Sequence, residues 1–178
     1  MQVPGIQNVQ NALAATAVGL SYGLTESVIK EALEDYSAYD KRMQIIKNGQ
    51  SLIINDSYNA NPDSFSPALD TLSYLSKGKN RRKVLVIGDM LELGSKTDEL
   101  HQKLFMSFFD FNIAGIFTFG KACAKAVRLI KKKGYADAHS FDSHEALAKE
   151  LKDFLKPGDV ILIKGSRGMQ MEKVLAYL

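Results

Sequence analysis

Three short stretches, KVLVIGD (83–89), IAGIFTFG (113–120) and DVILIKG (159–165), are almost unbroken runs of apolar residues. A half-exposed strand alternates apolar with polar side chains, whereas a strand covered on both faces has no reason to. Each run therefore predicts a central strand in a mainly parallel sheet. Parallel neighbours need crossover connections, and the intervals supply them, with helical patterns at roughly 66–76, 97–110, 121–133, 143–155 and 168–178. A shorter strand is expected in YADAHSF. Asp142 with Glu145 predicts a capping box for the helix at 143–155, and Pro157-Gly158 a turn that feeds the last strand. The expected fold class is α/β: an open, mainly parallel sheet with helices on both faces and right-handed crossovers.

The first part of the chain has a different period. NVQNALAATAVGLSYG reads as a helix stopped near Gly23, and LTESVIKEALEDYSAY as a second helix capped by Thr25. Two linked helices bury little by themselves, so they are expected to be the tail of a larger domain. After SAYDKR the pattern shortens: MQIIKNGQSLIIND places two strands around Asn48-Gly49, a strong hairpin signal. The boundary is placed near Asp40 to Arg42, which divides the chain into residues 1–40 and 41–178.

Composition excludes several classes of function. With a single cysteine, Cys123, no internal disulfide and no thiolate metal cluster can form. The net charge is +3, and the basic clusters KGKNRRK (77–83) and KKK (131–133) follow predicted helices, where lysines favour the dipole and solvate a loop. A nucleic-acid partner is not expected. No apolar stretch has the length of a membrane span, and the opening MQVPGIQN lacks the basic and apolar parts of a secretion signal, so a cytoplasmic setting is expected.

In open α/β sheets ligands lie beyond the carboxyl ends of the strands. This sequence places Asn55-Asp56, Gly88-Asp89, Gly120-Lys121 and Lys164 to Arg167 there. In NDSYNANPDSF, Pro62 and Ser64 are accounted for by a loop entering a helix, with Ser64 as the cap of a turn starting near Pro67. Asp56 and Tyr58 are not needed for that turn; the tyrosine ring suits either stacking on a ligand or packing. In KGSRG, Lys164, Ser166 and Arg167 suit an anion that also feels a helix N-terminus, while a tight turn with two solvated cations explains the same residues. GDMLELG carries Asp89 and Glu92, which could hold Mg²⁺ through water if phosphates completed the octahedron. The chain has no G-x-x-x-x-G-K-[ST] loop, no dinucleotide fingerprint and no G-x-S-x-G elbow. His101 follows the Asp89 loop and is expected to face the ligand edge; His139 and His144 are too isolated to specify a metal, and Cys123 is expected to pack in the core. No metal site within the chain is expected.

Together, NDSYNANPDSFSPAL, VLVIGDMLELG, ELHQKL and VILIKGSRGMQMEKVL resemble, in order, the C-terminal portion of the Mur ligase family, and IQNVQNALAATAVGLSYG resembles the end of its central ATPase domain. The resemblance covers essentially the whole chain and is most specific for the members that add D-alanyl-D-alanine to UDP-N-acetylmuramoyl-tripeptide. It implies a Rossmann-like C-terminal domain preceded by two helices of the central domain. It also implies a reaction in which ATP, with Mg²⁺, activates a carboxylate as an acyl phosphate that the dipeptide amine attacks. By resemblance, Asn8 meets the adenine, Arg42 reaches the nucleotide from the domain junction, and Asp56 holds the ribose hydroxyls, with Tyr58 and Asn61 beside them. Lys164, Ser166 and Arg167 fall near the reacting centre, and Asn59, Asp89, Glu92 and His101 in the substrate cleft. Two positions depart from the family pattern: Gln7-Asn8 stands where His-Asn is usual, and Asn55-Asp56 where Asp-Asp is usual. The phosphate loop, the modified lysine for Mg²⁺ and the UDP-binding domain are not in this sequence, so the segment alone is expected to be inactive. The alternatives are a standalone α/β nucleotide-sensing or interaction module, and a piece of another Mur-type or folylpolyglutamate ligase.

Overall fold

The computed structural model describes residues 3–37, 39–77 and 81–178. Two helices come first, α1 (Ile6–Ser21) and α2 (Glu26–Asp35), and the Thr25 side chain caps α2 by accepting from the Val28 N–H. A hairpin follows, β1 (Gln44–Asn48) and β2 (Ser51–Asp56), closed at Asn48 opposite Ser51, with Gly49 at a φ of 56°. The rest alternates: α3 (Pro62–Ser76), β3 (Lys83–Gly88), α4 (Thr97–Ser107), β4 (Gly115–Phe119), α5 (Lys121–Lys132), β5 (Ala138–Phe141), α6 (His144–Phe154) and β6 (Val160–Lys164). The six strands lie in the order β1-β2-β6-β3-β4-β5, antiparallel only between β1 and β2.

Successive residues of the central strands feed different cores, which is why their sequences do not alternate. Ile54, Leu85, Ile87, Ile116 and Leu162 pack with α3, α4 and α5 on one face. Ile53, Val84, Val86, Phe117, Ile161 and Ile163 pack with α6 and the C-terminal segment on the other. Three layers result, as the apolar runs require.

Element ends differ from the expectation where local chemistry decides them. Helix α3 begins at Pro62, because Asn61 rather than Ser64 is the cap: the Asn61 side chain accepts from the Ser64 N–H at 2.8 Å, and the Ser64 hydroxyl accepts from the Asn61 N–H at 3.1 Å. Proline at the first helical position gives up an N–H that no helix would use. Helix α6 is capped by Ser143, one residue beyond Asp142. Helix α4 stops at Ser107 and tightens into a 3-10 turn (Phe108–Phe111) ended by left-handed Asn112. The helix expected over 168–178 is instead two 3-10 segments, Arg167–Met169 and Met171–Tyr177, separated by Gln170 at a φ of 49°. In the basic stretch 77–83, Gly78 to Asn80 lie outside the described residues, and Arg82 is not a solvated loop cation. Its guanidinium forks onto Asp159 at 2.9 and 2.6 Å and donates to the Phe154 carbonyl, bracing the edge of the sheet opposite the ligand edge. Among the described residues no helix is long and apolar enough to cross a membrane.

Candidate functional site

Strand register brings three of the polar motifs together. Asp56 at the end of β2 lies opposite Lys164 at the end of β6, and Lys164 lies opposite Ile87, next to Gly88 and Asp89. A cleft of about 400 Å³ opens above β2 and β6 and is walled on its other side by α1. Gln7, Asn8 and Asn11 line it from the helix, Arg42 and Met43 from the junction, Asp56, Tyr58, Asn59 and Asn61 from the loop, and Lys164 forms part of its floor.

Lys164 is only 1% exposed, so its charge needs partners within the protein. Its ammonium donates to Asp56 Oδ2 and to the Asn59 carbonyl at 3.1 Å, and it sits 5.4 Å above the Phe65 ring. Asp56 Oδ1 accepts the Met43 N–H at 3.1 Å. One buried pair thus ties β6, the NDSYNANP loop and the junction before β1. The carboxylate offers about four lone-pair sites, and two are used. Further hydrogen-bond donors in the cleft can still be accepted by Asp56.

Around this pair the cleft has a distinct chemistry. The Arg42 guanidinium lies 4.0 Å over the Tyr58 ring, and Tyr39 meets that ring edge-on at 6.5 Å. Tyr58 therefore packs and lines the cleft at once. Asn8 donates to the Pro4 carbonyl at 2.7 Å, leaving its own side-chain carbonyl without a partner among the described residues. The Asn61 carbonyl is committed to the α3 cap, and the Asn59 side chain accepts from the Ala60 N–H at 2.8 Å. Asp56 is the one carboxylate among the lining residues, and it is bonded to Lys164. The cleft accordingly suits a flat base, hydroxyls and an anion, and does not fit Mg²⁺, which asks for several free oxygens.

The other expected site residues sit elsewhere. Asp89 is buried below the edge: its two oxygens accept the N–H groups of Cys123 at 2.8 Å and Ala122 at 3.1 Å, capping α5 at the positive end of its dipole. His101 is buried too. Its Nε2 accepts the Met90 N–H at 2.9 Å and its Nδ1 donates to the Thr97 carbonyl at 2.7 Å, which fixes the neutral tautomer protonated on Nδ1. Burial first, and the neighbouring Asp89 second, push the Cys123 thiol well above its ordinary range. Asp89, His101 and Cys123 bring ligand-type atoms within 4.8 Å of one another, but the carboxylate and the imidazole already accept backbone N–H groups, and the sulfur is held as a thiol. This cluster shapes the GDMLEL loop and does not face the cleft.

Ser166 is likewise bonded within the protein. Its hydroxyl donates to the Ala60 carbonyl at 3.1 Å and accepts the Leu91 N–H at 2.9 Å, while its own N–H donates to the Asp89 carbonyl. Beside it, a Cβ on Gly165 would come within 3.0 Å of Gly88 Cα and 2.7 Å of Met171. Glycine at 165 lets the ends of β3 and β6 approach closely. Glu92 is exposed in a left-handed turn (φ 65°) outside the cleft lining. Arg167, 54% exposed, is not among the cleft lining and bonds to Glu172 at 2.8 Å. Sequence reasoning noted Gln7 only as a departure from the family pattern and gave neither it nor Asn11 a place in the site, although polar residues at 7, 8 and 11 recur at helical spacing. It also passed over Lys41 and Glu172.

Comparison with known proteins places this architecture. Residues 41–167 match the sequence profile of the family described as "Mur ligase, glutamate ligase domain". The UDP-N-acetylmuramoyl-tripeptide–D-alanyl-D-alanine ligase of Bacillus subtilis (strain 168) is 35% identical over 177 residues, 98% of this chain, and that of Escherichia coli (strain K12) is 33% identical over 181 residues, 100% of it. A crystal structure of MurF from Acinetobacter baumannii superposes with a TM-score of 0.85 at 29% identity over 97% of the chain. The chain spans 38% of the length of each of the first two proteins and 37% of the third. By profile, identity and superposition alike, the chain belongs to the Mur ligase family.

Proposed function

We propose that this chain forms the C-terminal part of an ATP-dependent ligase that joins D-alanyl-D-alanine to UDP-N-acetylmuramoyl-tripeptide, and that residues 1–40 belong to the domain before it. The observation that carries this reading is the cleft between α1 and the ends of β2 and β6, where Asn8, the Arg42-Tyr58 stack and Asp56 converge. ATP would supply the phosphoryl group that activates the tripeptide carboxylate. The residues here hold and orient. The Asn8 carbonyl suits an adenine amine, the face of the Arg42-Tyr58 stack suits the ring, and the unused lone pairs of Asp56 suit ribose hydroxyls. Arg42 also adds positive charge where phosphates would lie. Arg167, 54% exposed and outside the cleft lining, suits the carboxylate of the dipeptide or an oxygen of the acyl phosphate formed on the tripeptide.

The test is ligation itself. A longer polypeptide carrying this segment should release phosphate from ATP and form the pentapeptide product only when both UDP-N-acetylmuramoyl-tripeptide and D-alanyl-D-alanine are present, read by product mass. The 178-residue chain alone should give neither, because its sequence has no phosphate loop to stabilise phosphoryl transfer. Turnover by the chain alone, or a preference of the longer protein for a single amino acid, would overturn the reading.

Two substitutions separate the roles. Arg42→Ala removes a partly exposed cation and one layer of the stack, so the KM for ATP should rise roughly tenfold with kcat much less affected, as expected when a contact is made equally in ground and transition states. A loss confined to kcat would place Arg42 at the reacting centre instead. Arg167→Lys keeps the charge and loses the planar fork, which should lower kcat/KM roughly tenfold to a hundredfold. If the dipeptide carboxylate is the target, the defect should shrink with an amide-terminated dipeptide; if the acyl phosphate is, the defect should persist.

A further inference from the structure

Residues 41–43, between α2 and β1, hold two non-glycine residues in the left-handed region, Lys41 at a φ of 62° and Met43 at 53°. Such residues cost about 1–3 kcal/mol each and persist only where their surroundings fix them. Three contacts do so. The Tyr58 N–H donates to the Lys41 carbonyl at 3.0 Å, Asp56 accepts the Met43 N–H, and the Lys41 ammonium lies 3.2 Å from Glu172 Oε1. That same oxygen receives Arg167 Nη1 at 2.8 Å, while Glu172 Oε2 is buried with no partner among the described residues. Burial alone would raise the Glu172 carboxyl; its backbone hydrogen bond, Lys41 and Arg167 outweigh that and hold it below the ordinary carboxylate range. It stays charged between two cations.

We infer that Glu172 is a positioning residue, which orients the Arg167 guanidinium and, through Lys41, couples that orientation to the strained junction beside the nucleotide cleft. The inference rests on the ligase reading only where it assigns Arg167 a substrate anion. A guanidinium carries five donors, and one recorded bond leaves the rest for a ligand while fixing the plane of the fork. Holding an exposed, rotamer-rich side chain in place before binding lowers the entropy lost on binding. With the Arg167 side chain 54% exposed, its bond to Glu172 adds little to stability, so its effect belongs to orientation.

Glu172→Gln and Glu172→Asp test this in two settings. In the longer ligase, with Arg167 on the dipeptide carboxylate, Glu172→Gln should raise the KM for D-alanyl-D-alanine about fivefold with kcat within about twofold; with Arg167 on the acyl phosphate, a loss of about the same size should appear in kcat. Glu172→Asp, which keeps the charge, should recover part of either loss. In the 178-residue chain, Glu172→Gln should speed hydrogen exchange of the Tyr58 and Met43 amides about tenfold, with amides of β3 and β6 unchanged. Unchanged KM and unchanged kcat together would overturn the positioning role. Unchanged exchange at Tyr58 and Met43 would overturn the coupling to the junction. A parent ligase with no activity on these substrates would sink the functional reading and leave the exchange result to decide the coupling.

Discussion

Lys164→Ala is expected to lower the unfolding free energy of the chain by about 3–5 kcal/mol, the range for a buried ion pair that loses one partner. The side chain is 1% exposed, and its ammonium answers both Asp56 and the Asn59 carbonyl, so alanine leaves a partly buried carboxylate and a carbonyl without their donor and opens a void against Phe65. Lys164→Met fills the void but not the charge deficit, and should recover about 1–2 kcal/mol, the share belonging to packing. Asp56→Asn combined with Lys164→Met should cost less than the two single changes added together, since each single change strands a charge and the pair of changes strands none. Urea denaturation followed by circular dichroism decides this. A loss below about 1 kcal/mol for Lys164→Ala, or strict additivity in the double variant, would remove Lys164 from its place as the strut of the cleft floor.

How far the sequence could be read depended on whether an element's cause is local. KVLVIGD, IAGIFTFG and DVILIKG contain the central strands because residues covered on both faces leave an apolar run, and Asn48-Gly49 marks its hairpin because glycine accepts the left-handed turn. Ends of elements depend on single hydrogen bonds, and there several serines and asparagines compete; Asn61 displaced Ser64 and Ser143 displaced Asp142 through bonds that no periodicity records. The C-terminal stretch has helical spacing, yet Gln170 turns left-handed and Met171 packs against Gly165 and against Gly88, a strand end far away in sequence.

The candidate site was legible as an edge and not as a set of roles. Choosing polar residues after strands gathered Asp56, Tyr58, Asp89, Lys164, Ser166 and Arg167, but a polar side chain at that edge has two possible customers, a ligand or the N–H and C=O groups of neighbouring loops. Asp89 and Ser166 answer backbone, Lys164 answers Asp56, and only the fold shows which. The same holds for Arg82 and Asp159, a bidentate pair between residues far apart in the chain. Charge runs carry no sign of such partners.

Gly120 offers the sharpest test of the backbone role of Asp89. At a φ of 126° and ψ of 157°, Gly120 sits in a region that side-chain-bearing residues essentially do not enter, and a Cβ there would lie 2.3 Å from the Asp89 carboxyl carbon. The carboxylate cannot step aside without releasing the Ala122 and Cys123 N–H groups, so a single methyl would both strain the turn and uncap α5. Gly120→Ala should therefore cost about 3 kcal/mol or more, the sum of backbone strain and one to two lost charge-assisted bonds. Gly134→Ala is the control: its φ is 96°, but nothing lies within 4 Å of the added carbon, so it should cost about 1–2 kcal/mol from strain alone. Displacing Asp89 also loosens the loop that Ser166 ties to the cleft edge through Leu91, and should open a path to buried Cys123. Faster labelling of that thiol under native conditions in Gly120→Ala, and not in Gly134→Ala, would show the loop has moved. Equal stability losses with equal labelling in the two variants would mean that Asp89 can cap α5 from another position, and that the glycine is required by its backbone angle alone.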